Sequence, residues 1–194
     1  MSETRTITAI DTTANPAPLG LAAFGLTTIL LNIHNFNPTL FPLSSAIIAM
    51  GIFYGGLAQV IAGYMEWKKN NTFGTIAFSS YGWFWISLTG IWMLPIINPA
   101  FTTSTMFMAY FLAAWGVFTL FLFFATFKLS RALQVVFGTL VVLFALLAIA
   151  KATGNENIEK IAGAEGIICG LTALYTGMAQ VINEVYDREV LPLG

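Results

Sequence analysis

Long apolar stretches alternate with short polar breaks along this chain of 194 residues. Each stretch approaches the ~20 residues that an α-helix needs to cross the hydrocarbon core of a bilayer. The breaks carry Asn-Pro pairs, clusters of lysine and asparagine, or a Gly-Asn step, all of which are turn signals. The pattern predicts an all-α membrane protein, a bundle of six transmembrane helices. The expected spans are residues 19–35, 44–67, 74–97, 104–126, 131–151 and 161–183.

The composition supports a lipid environment and narrows the function. Hydrophobic residues make up 57% of the chain and charged residues 9%, whereas soluble domains are about 25% charged. The net charge of −1 disfavours nucleic acid as a partner. One histidine, His34, and one cysteine, Cys169, do not make a metal site, and no cofactor is expected. The chain has no phosphate-binding loop, nucleophile elbow or carboxylate pair, so an enzyme is not expected.

The predicted organisation is a polar N-terminal tail over 1–18, one six-helix transmembrane domain over 19–187, and a short C-terminal tail over 188–194. With six spans, both termini lie on the side of the second and fourth loops. The positive-inside rule assigns the side richer in Lys and Arg to the cytoplasm. We therefore expect a multi-pass protein of the plasma (inner) membrane with both termini cytoplasmic. The basic residues are Arg5, Lys68, Lys69, Lys128, Arg131 and Arg188 on that side, and Lys151 and Lys160 on the other.

Uncharged polar side chains occur at membrane depth in several of the predicted helices. Such groups are costly in lipid unless they are hydrogen-bonded, and they often line a water-filled path, although a single Ser or Thr commonly bonds to its own helix. No charged residue is expected near the centre of a span, and Glu165 is expected close to the outer end of the sixth. A narrow, weakly polar path for a small solute is therefore predicted. Its candidate residues are Thr28, Asn32, Gln59 and Gln180.

The first predicted helix follows an Asn15-Pro16-Ala17-Pro18 motif. Pro16 and Pro18 each fix a backbone φ angle and remove an amide donor, which gives a rigid helix start. The free amides of a helix N-terminus can attract a carboxylate. Ordinary packing at a rigid helix start is the more common explanation of such a motif.

Several strings in the sequence resemble the succinate–acetate permease family, also called the acetate uptake transporters. The most specific is NPAPLGL at 15–21, followed by Phe24-Gly25. Because the matches run from residue 15 to about residue 185, the resemblance covers nearly the whole chain. The supporting strings are AMGIFYGG at 49–56, NTFG at 71–74, WGVFTL at 115–120 and VLFALLAI at 142–149.

The resemblance implies a homohexamer of six-helix protomers, each with its own solute path. It implies acetate and other small monocarboxylates as substrates, with the dicarboxylate succinate in some members. Residue by residue, it implies a pore constriction formed by Phe24, Tyr81 and Leu140, and a role for Ala173 in setting solute size. The chain departs from the family at Gln180, where members carry Glu, and at Glu165, where an aromatic residue is expected.

A bare carboxylate that passes such an apolar ring would lose hydration at a cost of several kcal/mol. We therefore expect protons to cross with the solute. Two other functions stay open at this point. A channel for small neutral solutes such as urea also needs a narrow, uncharged path, and a membrane sensor would move no solute at all. The sequence does not decide between an open channel and an alternating-access carrier.

Overall fold

The structure is a computed structural model and describes residues 12–194. The part of the chain it describes contains six helices long and apolar enough to span a membrane, which confirms the predicted six-helix bundle. The positions of Arg5 and most of the predicted tail over 1–18 lie outside the described residues. The helices are α1 (Ala17–Phe36), α2 (Ser45–Lys68), α3 (Thr72–Ile97), α4 (Thr105–Thr126), α5 (Arg131–Thr153) and α6 (Glu156–Val185).

Side-chain caps fix where four of these helices begin. In each case a side-chain oxygen before the helix accepts a hydrogen bond from a backbone N–H of the first turn, which would otherwise lack a partner. Asn155 is the cap that the hydropathy pattern missed, and it starts α6 at Glu156 instead of residue 161. Gly154, with φ of 66°, ends α5 in the left-handed region that favours glycine. The caps are Asn71 for α3, Ser104 for α4, Ser130 for α5 and Asn155 for α6.

The second helix contains a π-helical stretch over Met50–Ala58, which the sequence pattern did not predict. Gly51, Gly55 and Gln59 are buried on or beside this stretch, together with Gly63 in the next turns. A Cβ atom on Gly55 would lie 2.7 Å from Thr27 Cγ2 of α1. Small residues therefore let the backbone of α2 approach its neighbours closely. Such packing is common in membranes, where no hydrophobic driving force brings helices together.

The most extensive helix–helix contact is between α1 and α6, and α5 packs on both α4 and α6. A Cβ atom on Gly25 would lie 2.7 Å from the carbonyl oxygen of Gly170, so these two backbones nearly touch.

The backbones of α3 and α4 approach each other at few positions, and aromatic rings fill the space between them. The ring of Phe84 stacks on Phe111 at 5.7 Å and meets Trp115 edge-on at 5.1 Å.

The chain segments before α1 and after α6 lie at the same end of the bundle, which we call the terminal end. The Asn15 side chain donates to Gln180 Oε1 at 3.0 Å. The predicted C-terminal tail folds back on the start of α5, where the backbone N–H of Ala132 donates to Leu193 O at 2.9 Å. The opposite end, where α5 turns into α6 at Gly154, is called the loop end.

Candidate transport pathway

A cavity of about 140 Å³ lies between α1, α3, α4 and α5 and extends toward the loop end. Its walls are mostly apolar, with a few polar groups contributed by α1, by Trp85 of α3 and by the loop-end turns of α5 and α6. Apolar walls with a small number of placed polar groups are typical of small-molecule sites. Its lining residues include Phe24, Thr28, Asn32, Leu140, Lys151 and Glu159.

A second, much smaller cavity of about 20 Å³ is lined by Gln59 and Tyr81 among others. Phe24 and Leu140 line both cavities. These two side chains therefore lie between the cavities, and both are buried, at 6% and 3% exposure. A solute that passed from one cavity to the other would have to move Phe24 or Leu140.

Tyr81 lies beside Phe24, with their ring centroids 5.9 Å apart. Its hydroxyl donates to Thr119 Oγ1 at 2.9 Å, and Thr119 in turn donates to the carbonyl oxygen of Trp115 at 2.7 Å. The phenolic hydrogen is therefore engaged within the protein, and only the Tyr81 oxygen remains to accept a bond from a solute. Sequence reasoning missed Thr119, because a threonine at this depth usually bonds only to its own helix.

The residues that line the two cavities include three buried polar atoms without a hydrogen-bond partner. In the larger cavity they are Thr28 Oγ1 and the indole Nε1 of Trp85; the neighbouring Asn32 donates to the backbone oxygen of Thr28 and not to its hydroxyl. In the smaller one it is Gln59 Oε1, while Gln59 Nε2 donates to Gly55 O at 2.7 Å. Buried polar groups nearly always have a partner, so these three atoms are candidate contacts for a solute or for water.

Two residues of the predicted path lie away from both cavities. Ala173 is fully buried but lines neither of them. Gln180 lies at the terminal end, where it accepts the bond from Asn15. Asn15 Oδ1 also accepts from the Ala17 N–H at 3.0 Å, so its own side chain covers a free amide at the start of α1. Pro16 and Pro18 are buried in the turn that this arrangement fixes.

The expectation that Glu165 lies close to the end of its helix is wrong. Because α6 begins at Glu156, Glu165 lies nine residues into the helix, ~13 Å from its start at 1.5 Å per residue. Both of its carboxylate oxygens are buried without a hydrogen-bond partner. Among the residues that the structure describes, no group of three or more His, Cys, Asp or Glu side chains could hold a metal ion.

Two charged residues form an ion pair at the loop end. The sequence indicated Lys151 only as a basic residue for the membrane orientation, and it did not indicate Glu159. Lys151 Nζ lies 2.6 Å from Glu159 Oε1, and both residues line the larger cavity. The two are eight positions apart, on either side of the α5–α6 turn. Their contact depends on the early start of α6, which hydropathy alone did not reveal.

Six membrane helices around interior cavities, with aromatic and small uncharged groups between them, define a multi-pass membrane protein of the transporter or channel class. The chain belongs to the GPR1/FUN34/yaaH family, whose model matches residues 4–189. This membership confirms the family resemblance read from the sequence motifs.

Named relatives place the chain more closely within that family. It is 54% identical to the succinate-acetate/proton symporter SatP of Escherichia coli K12, over 93% of this chain and 95% of that protein. It is 33% identical to acetate permease A of Emericella nidulans, over 93% of this chain and 66% of that protein. A solved structure of the bacterial acetate channel SatP matches with a TM-score of 0.92 and 53% identity, covering 94% of this chain and 100% of that one. All three are transport proteins, in agreement with the expectation that this protein is not an enzyme.

Proposed function

We propose that the protein is a permease or channel that carries acetate and related small carboxylates across the plasma (inner) membrane, linked to protons. One observation carries the proposal. An interior cavity of about 140 Å³ ends on Phe24 and Leu140, in a chain closely similar to a succinate-acetate/proton symporter. In this proposal Phe24, Tyr81 and Leu140 form the constriction of the solute path.

The proton linkage follows from the polarity of this constriction. Phe24 and Leu140 are apolar, and the phenolic hydrogen of Tyr81 is already donated to Thr119. Burying an ionised carboxylate without a paired opposite charge costs several kcal/mol or more. The unpartnered groups beside the constriction are the Thr28 hydroxyl, the Trp85 indole N–H and the Gln59 amide oxygen, and none of them carries a charge. A solute that carries a proton therefore crosses more readily than the bare anion.

We also propose that the protomers assemble as a homohexamer and that the terminal end faces the cytoplasm. The orientation is supported by the distribution of basic residues. In the described chain, the terminal end has five, and the loop end has Lys151 and Lys160. Native mass spectrometry of the purified protein would test the hexamer. The five are Lys68, Lys69, Lys128, Arg131 and Arg188.

The decisive experiment measures uptake of labelled acetate into proteoliposomes at one acidic and one neutral external pH, with succinate and urea in parallel. Leu140→Trp fills the constriction and is expected to stop acetate entry. Val142→Trp is the matched control, because Val142 lies on the same helix but is 48% exposed on the outside of the bundle.

Saturable acetate entry that is faster at acidic pH, lost in L140W and kept in V142W supports the proposal. Faster entry of urea than of acetate would instead identify a channel for neutral solutes. Absence of flux for every solute would favour the remaining alternative, a membrane sensor that transports no solute. An acetate current independent of pH would contradict the proton linkage.

A further inference from the structure

The larger cavity carries a single ion pair, at its loop end. Lys151, in the last turn of α5, lies 2.6 Å from Glu159, in the first turn of α6. The two side chains are 34% and 28% exposed, and both line the cavity. Of the described residues around this cavity, they are the only Lys, Arg, Asp or Glu.

The bond to Glu159 occupies one of the three hydrogens of the Lys151 ammonium, which leaves donors for a second acceptor. The other polar groups at this end do not compete for the role. His34 Nδ1 lies 2.7 Å from the carbonyl oxygen of Phe41, and since a carbonyl only accepts, the hydrogen on this nitrogen is donated to Phe41. Asn35 donates to Asn32 at 3.1 Å.

Glu159 has a second stabilising neighbour besides Lys151. It lies in the first turn of α6, where the helix dipole favours a negative charge. The Glu159 carboxylate is therefore stabilised by the start of α6 as well as by Lys151, and Lys151 can turn part of its donor capacity to an incoming anion. The end of the cavity then presents one positive and one negative charge side by side.

We propose that Lys151 and Glu159 form an anion-selecting mouth, in which Lys151 captures a carboxylate from solution and Glu159 disfavours a solute with a second negative charge. This inference rests on the proposed function and refines its substrate class to monocarboxylates over dicarboxylates. A monocarboxylate pairs with Lys151 and turns its apolar end to the cavity wall. A dicarboxylate brings its second charge against Glu159 or into the apolar wall, and either contact is unfavourable.

The first test compares the KM for acetate uptake in proteoliposomes at low and high ionic strength. Since exposed charges are screened by salt, the acetate KM of the unaltered protein is expected to rise with ionic strength. Lys151→Gln is expected to raise the KM at low salt about fivefold, which corresponds to ~1 kcal/mol, and to remove the salt dependence. Lys151→Arg keeps the charge and is expected to keep the KM low.

The second test compares succinate with acetate in the Glu159→Gln variant. Loss of the repelling charge is expected to lower the KM for succinate at least about fivefold more than the KM for acetate, again ~1 kcal/mol. The matched controls are Lys160→Gln and Glu156→Gln, which make the same charge changes on exposed residues of the same helix end outside the cavity lining.

A K151Q variant that transports with the same KM and salt dependence as K160Q would overturn the capture role. An unchanged ratio of succinate to acetate KM in E159Q would overturn the selection. Either result, obtained with saturable acetate uptake by the unaltered protein, leaves the proposed function standing. Absence of acetate uptake by the unaltered protein contradicts the proposed function itself.

Discussion

At the scale of single residues, the constriction depends on one hydrogen-bonded pair between helices. The Tyr81 ring is packed among aromatic neighbours, with Phe118 at 5.8 Å and Phe137 at 6.1 Å, and its hydroxyl is held by Thr119. The ring therefore has little freedom to rotate. Its position beside Phe24 is set by α4 as much as by its own helix.

The two partners of this pair are expected to respond unequally to mutation. Thr119→Val leaves the buried Tyr81 hydroxyl without an acceptor, which should cost ~1–3 kcal/mol of stability. Tyr81→Phe leaves the Thr119 hydroxyl donating to Trp115 O, so the loss should be smaller. Thermal unfolding in detergent of T119V, Y81F and the double variant measures the difference. If Y81F is as damaging as T119V, the asymmetry is absent and the hydrogen-bond network is not as described.

The residues of the path were predictable to different degrees. Thr28, Asn32 and Gln59 line cavities, and a polar side chain on the buried face of an apolar helix was sufficient to indicate them. Gln180 has the same sequence signal but bonds to Asn15, because its turn of α6 lies at the terminal end. A polar residue at membrane depth in the sequence indicates a buried polar side chain. It does not show whether that side chain lines a solute path or bonds to another part of the protein.

At the scale of elements, the sequence predicted the helices well because the bilayer fixes their length. The end of α3 at Ile97 and both ends of α4 and α5 were placed within two residues. The prediction was wrong at the start of α6, whose polar first turns are helical through the Asn155 cap and not through hydrophobicity. The π-helical stretch of α2 depends on packing between helices and has no periodic signal in the sequence.

The α1–α6 contact gives an element-scale prediction. A Cβ atom on Gly170 would lie 2.7 Å from the carbonyl oxygen of Gly25, so Gly170→Ala must push the two backbones apart. We expect a loss of ~1–3 kcal/mol, as for other overpacked sites. At Gly90 a Cβ atom would meet nothing within 4 Å, so Gly90→Ala should instead stabilise α3 by ~0.5–1 kcal/mol through its higher helix propensity.

Both variants can be compared by thermal unfolding in one detergent. A lower midpoint for G170A together with an equal or higher one for G90A is the expected result. A G170A protein as stable as G90A would show that α1 and α6 can separate without cost, and that close backbone packing is not what holds them.

At the scale of the whole molecule, the charged residues that the structure describes collect at the two ends of the bundle, with the exception of Glu165. Glu66 is 2% exposed but accepts a hydrogen bond from Asn71 at 2.7 Å near the terminal end. Glu165 is deeper in its helix and neither of its oxygens has a partner. A buried carboxylate without a partner costs stability relative to an apolar side chain of similar size.

Glu165→Leu is therefore expected to raise the thermal unfolding midpoint, by an amount equivalent to ~1–3 kcal/mol, because it removes an unpaired buried polar group. Glu184→Leu is the control, since Glu184 lies exposed near the end of the same helix and its replacement should change little. A lower midpoint for E165L than for E184L would show that Glu165 has a partner that stabilises it.

The aromatic wall between α3 and α4 has a consequence for how this protein can change over generations. Because these helices meet through rings such as Phe84, Phe111 and Trp115, the width of the larger cavity depends on side chains, each encoded by one codon. Replacing a ring with a smaller residue would widen this side of the cavity without moving a helix. The glycine contact between α1 and α6 allows no such step. A lineage under selection for a bulkier nutrient would therefore be expected to acquire its adaptive mutations on α3 and α4, while the α1–α6 glycines stay fixed.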